Sequence, residues 1–160
     1  MTEPRYSVEQ ELDPDYLRKL GVYVQTCARI ELTISNVICA VEKRVTETPE
    51  YIERRNELRS FGTRDLISAF GKTAAQLEKG NRWRPYISEL TGWLHRYHDA
   101  RHLAIHGVHV QREGTVRVNA RPKGARVNEE NEYSMSEIDQ ALKNADDILT
   151  ALMRFYSEIG

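Results

Sequence analysis

From Tyr16 to about Arg44 apolar side chains return every three or four residues, at Leu17, Leu20, Val24, Cys27, Ile30, Ile34, Val37, Ile38 and Val41. With no proline inside it, that period predicts one long amphipathic helix. Thr48 as N-cap and Pro49 at the first helical position predict a second helix to Ser60, charged and only weakly periodic. Gly62 and Thr63 break and recap the chain, and Leu66, Ile67, Phe70, Ala74 and Leu77 supply the stripe of a third helix ending at Gly80. A fourth begins near Pro85 and runs through Ile87, Leu90, Trp93, Leu94, Tyr97, Ala100, Ala104 and Ile105 to a stop at Gly107.

After Gly107 the period shortens. Val108, Val110, Val116 and Val118 alternate with polar residues around Glu113-Gly114, which predicts a β-hairpin, and the segment 121–133 reads as loop. Ser136 with Asp139 predicts the cap of a last helix carrying Ile138, Leu142, Ala145, Ile148, Leu149, Leu152 and Phe155. Each stripe must bury itself against another. The expected fold is therefore all-α, an up-and-down four- to five-helix bundle with a small β-hairpin inserted before the last helix. It forms a single domain over residues 1–160, with the hairpin and a basic loop at about 107–133.

A length of 160 residues suits one core, and the 40% apolar and 29% charged composition is that of an ordinary water-soluble protein. No apolar run reaches the roughly 18 residues that a membrane span needs. Met1 to Glu11 is acidic and polar where an export signal needs a basic patch and an apolar stretch, so a cytoplasmic location is expected. Cys27 and Cys39 lie on one helix, about 18 Å apart, beyond disulfide reach, and are expected as reduced core thiols.

The net charge of −1 argues against a surface coated with positive potential. A local contrast lies beneath it. Arg112, Arg117, Arg121, Lys123 and Arg126 face only Glu113, and the sign then reverses with Glu129, Glu130, Glu132, Glu137 and Asp139. Such a stretch is either a solvated loop with compensating charge or an arm that contacts RNA phosphates.

All five histidines, His95, His98, His102, His106 and His109, fall within one helix end and its continuation. Taking His98 as zero on an ideal helix, His102 lies at about 40°, His95 at about 60° and His106 at about 80°, along one flank of the core face. Arg101 falls at about 300°, inside the apolar arc, where a guanidinium needs an acceptor. Glu31 interrupts the first helix's stripe between Cys27 and Ile34 and can serve. The pair is either a buried ion pair that only orients two helices, or a device that steadies Arg101 and leaves guanidinium donors for a phosphate.

The run Arg101-His102-Leu103-Ala104-Ile105-His106-Gly107 resembles the motif of the HEPN superfamily (higher eukaryotes and prokaryotes nucleotide-binding): arginine, a polar residue, three more residues and histidine. The long first helix with its inward glutamate and the final helix after an insertion are similar too, so the likeness covers nearly the whole chain. Arg96 and His102 form a rival pair, but they sit mid-helix with Tyr97 at the polar position, so Arg101 and His106 fit better. Many family members paired with nucleotidyltransferase antitoxins carry tyrosine two residues after the histidine, where this chain has Val108.

The resemblance implies a toxin- or defence-type endoribonuclease in which a ribose 2′-hydroxyl attacks the adjacent phosphate, without metal or cofactor. His106 would be the acid/base group, Arg101 the phosphate clamp, and His102 an assisting group, with Glu31 and His98 supporting. The residue types suit this, since imidazole moves protons near neutral pH and a guanidinium stabilises charge on a phosphorane-like transition state. Arg101 and His106 differ by about 140° around an ideal helix, so a homodimer that completes the site is expected, with an antitoxin or other protein as a further partner. Two readings stay open beside it. One is a non-catalytic helical module in which the histidines line an interface; the other is a metal site on His98, His102 and His106.

Overall fold

The structure, a computed structural model, describes residues 6–120 and 129–159. It is mostly helical with a small antiparallel sheet. The helices are α1 (Ser7–Glu11), α2 (Pro14–Val41), α3 (Pro49–Ser60), α4 (Thr63–Lys72), α5 (Trp83–His106) and α6 (Met135–Ile159), and the strands are β1 (Val108–Arg112), β2 (Thr115–Ala120) and β3 (Glu129–Tyr133). No described helix is long and apolar enough to cross a membrane.

Helix α2 runs through the middle. Its buried residues Tyr16, Tyr23, Cys27, Ile30, Ile34, Val37 and Ile38 meet α6, packed along it through Ile138, Ala145, Ile148, Leu152 and Phe155, and α5 adds Ile87, Leu90 and Leu94. Each such aliphatic side chain removed from water contributes about 1.5–3 kcal/mol, so this three-helix seam fixes the direction of α5 and of the histidines on it. Cys27 and Cys39 are buried and free.

Several boundaries differ from the expectation, each for a local reason. Helix α2 starts at Pro14 because the Asp13 carboxylate accepts from the backbone N–H groups of Asp15 and Tyr16, and it stops at Val41; the short α1 before it carries no buried residue and so no stripe. The third helix ends at Lys72, tightens into a 3₁₀ turn over Thr73–Gln76, and Gly80 (φ 88°) serves the connection beyond. Helix α5 starts at Trp83, whose N–H is capped by Asn81 Oδ1 at 2.9 Å, and so takes Pro85 into its first turn. The cap of α6 is Ser134 with Glu137, one capping box earlier than Ser136 with Asp139: Ser134 N–H donates to Glu137 Oε2 at 2.5 Å, and Glu137 N–H to Ser134 Oγ at 3.3 Å.

The hairpin is present, turned by Glu113 and Gly114 with φ of 50° and 78°, as a two-residue turn of the mirror type requires. It belongs to a three-stranded sheet of order β1-β2-β3, so part of the expected loop is a strand. Strand β3, Glu-Glu-Asn-Glu-Tyr, has no apolar alternation to announce it and is held by its antiparallel pairing with β2.

The register also corrects the inward face of β1. Val116, Val118 and Ala120 are buried, but opposite Val118 and Val116 stand His109 and Gln111, while Val108 is 64% exposed. Side chains alternate with a period of two, so the valines of β1 and β2 occupy opposite faces. His109 is thus a structural histidine: its Nε2–H donates to Ala104 O at 2.9 Å, which leaves Nδ1 to accept from Tyr16 O–H at 2.5 Å. Burial pushes its pKa below the ordinary value of 6.5. The unfolded chain then binds the proton more readily, so the contribution of His109 to stability is complete above pH 6.5 and is lost as pH falls toward the folded pKa. Urea unfolding between pH 7.5 and 5.5 should show this loss in the wild type and less of it in His109→Gln; an equal loss in both removes His109 as its source.

Candidate functional site at the end of helix α5

The site is built on the last two turns of α5, where the helix leaves the core seam and runs into the sheet. Arg101 lies on the inward side, with Nε 2.9 Å from Glu31 Oε1 and 17% of its side chain exposed. The Nε–H is not aligned on the carboxylate and has no other acceptor among the described residues, so the contact is held by charge and not by a well-formed hydrogen bond. Glu31 Oε1 also accepts from Thr63 Oγ1 at 2.8 Å. Thr63 opens α4, whose N-cap is Gly62 without a side-chain cap, so the hydroxyl expected to cap the helix serves Glu31 instead. Sequence reading missed this third member, because nothing local ties residue 63 to residue 31.

The histidine flank lies around the helix from this pair. His102 and His106 are one turn apart with ring centroids 5.1 Å from each other, His102 partly buried and His106 exposed at the helix end. His98 is on the same edge, and its Nδ1 lies 3.7 Å from Asp99 Oδ1. Of the expected residues, the structure therefore joins Arg101 to Glu31 and His102 to His106. Arg117 is exposed on the outward face of β2, in register with Glu132. Arg121, Lys123 and Arg126 lie outside the described residues, and of Arg112 only the backbone, in β1, is described.

No group of three or more His, Cys, Asp or Glu suited to holding a metal ion occurs among the described residues. A cavity of about 180 Å³ borders Glu31. A larger groove of about 600 Å³ lies along the other flank of α5, against α6.

No family model matches the chain. No curated protein and no solved structure matches it either.

The capacity of the site must follow from its own residues. Arg101 keeps part of its guanidinium within reach of solvent, while the imidazoles of His102, partly buried, and His106, exposed, stand one turn apart at the helix end. Together they offer one fixed cation and two groups able to exchange protons. Glu31→Gln should weaken the hold on Arg101 and leave a mostly buried guanidinium without its counter-charge, lowering stability by about 1–2 kcal/mol in urea unfolding. A change below the error of that measurement would remove the positioning role of Glu31.

Proposed function

We propose that the chain is a metal-independent endoribonuclease of the HEPN type, acting in the cytoplasm as a homodimer on an up-and-down helical bundle. The observation that carries the reading is the steadied guanidinium of Arg101, five residues before an exposed histidine whose ring lies against that of His102 at a tilt. In the reaction an imidazole takes the proton of the ribose 2′-hydroxyl, and the 2′-oxygen attacks the adjacent phosphorus. The P–O5′ bond breaks as the 5′-oxygen gains a proton, leaving a 2′,3′-cyclic phosphate and a 5′-hydroxyl. His106 is the acid/base group, His102 assists it, His98 supports the edge, and Arg101 neutralises charge on the equatorial oxygens. Because Arg101 faces inward and His106 outward, a second protomer laid against this edge closes the space around the phosphate. Arg112, Arg117, Arg121, Lys123 and Arg126 extend the phosphate contacts beyond the site.

The burial of Arg101 favours a second reading, a helical interaction module in which the arginine only ties α5 to α2. Incubation with total RNA in EDTA, followed by end-group analysis, separates the two. Cyclic phosphate ends support the nuclease; RNA left intact by the dimeric wild-type protein supports the module.

A further inference from the structure

The groove between α5 and α6 has a composition that a simple packing fault would lack. Ala100 on α5 and Ala141 on α6 are too small to fill it, and at about 600 Å³ it falls within the range of small-molecule sites, about 300–1,000 Å³. Trp93 forms part of its wall. Tyr23 and Tyr97 line it as well, 0% and 4% exposed, and neither hydroxyl meets a hydrogen-bond partner of good geometry among the described residues. The Cys27 thiol beside both is a weak partner. Buried hydroxyls without partners are rare in folded proteins.

The rim is selective too. Arg154 is paired with Glu158 and Asp147 with Lys143, whereas Arg96 is exposed and forms no ion pair among the described residues. Water would satisfy the hydroxyls alone. An indole wall with a guanidinium at the rim selects a planar ring carrying an anion.

Resting on the ribonuclease reading, we propose that this groove is a base-selecting subsite. One nucleobase of the RNA strand lies against Trp93, its polar edge reaches the hydroxyls of Tyr97 and Tyr23, and its phosphate meets Arg96. Arg96 and His106 are ten residues apart on α5, about 15 Å along the helix axis and on different flanks, so the held base lies a few nucleotides from the cleaved bond along the strand. Tyr23 lines the groove two turns before Glu31 on the same face of α2, and Glu31 holds Arg101, so the buried end of the groove approaches the candidate clamp along α2. Trp93, Tyr97 and Arg96 are specificity-determining residues, not catalytic ones.

The test is binding of RNA pentamers of a single base, and of the four free mononucleotides, to full-length His106→Ala, measured by calorimetry. One pentamer should bind about tenfold more tightly than the others, and Trp93→Leu and Tyr97→Phe, each shown to be folded by circular dichroism, should erase that difference. The same preference among the free mononucleotides supports the subsite, as does preference in the strand alone. Pentamers that bind equally, a preference that survives both substitutions, or binding of mononucleotides without the strand overturns it. Because the readout is binding, it stands apart from the cleavage assay: RNA left intact by the wild type sinks the nuclease, while equal pentamer affinities sink the subsite.

Discussion

His106→Ala should lower the rate of RNA cleavage by about 10²- to 10⁴-fold, the usual contribution of a positioned acid/base group. The substitution is a clean one. His106 is exposed, ends α5 and carries no core packing, so its loss should leave the unfolding midpoint close to that of the wild type. Arg101→Ala should also cost about 10²- to 10³-fold, but with lower stability, since Glu31, held in place by Thr63, loses its counter-charge. Activity lost without stability at position 106, and with it at position 101, is the pattern a catalytic edge built on a buried support produces. Cleavage in EDTA that persists unchanged in His106→Ala assigns the activity to other residues.

How far the sequence led depended on how local each signal is. The stripes of α2, α5 and α6 are helical in period and long, and most of the buried core lies on these helices, although on α2 Tyr23 is buried where the expected stripe had Val24, which is exposed. Arg101 and Glu31 were legible as partners because each is a charge in an apolar arc, and such a charge has to find its opposite. Thr63 was not legible, since its bond to Glu31 spans 32 residues and leaves no periodic trace. His109 is one of the five clustered histidines, but the helical period assigns it no face; the hairpin register places it inward against Tyr16, and a one-residue shift of face is beyond what alternating valines can specify. The capping box of α6 was ambiguous for a related reason: Ser134 with Glu137 and Ser136 with Asp139 have the same spacing, and only the backbone decides between them.

Gly107→Ala should be the most damaging single-methyl change in the chain's functional half, lowering stability by about 3 kcal/mol and the Tm by roughly 10 °C. The reason is space, not backbone conformation. Gly107 caps α5, at the stop expected from the sequence, in an extended conformation (φ −78°, ψ 148°) that any residue can adopt. A Cβ built there would lie 2.2 Å from Val118 Cγ1 and 2.5 Å from Leu103 O. Val118 is fully buried in the central strand, and the Leu103 carbonyl already accepts the Gly107 N–H at 3.0 Å, so neither yields cheaply. Glycine is what lets the sheet lie directly against the end of the helix that carries the histidines. The double variant Gly107→Ala/Val118→Ala removes one clash and keeps the other, so it should be more stable than the sum of the two single losses predicts. RNA cleavage should fall in Gly107→Ala even well below its melting temperature, because relieving the overlap moves the turn on which His106 stands. A Gly107→Ala protein that melts with the wild type and cleaves at its rate would show that sheet and helix end are not packed this tightly.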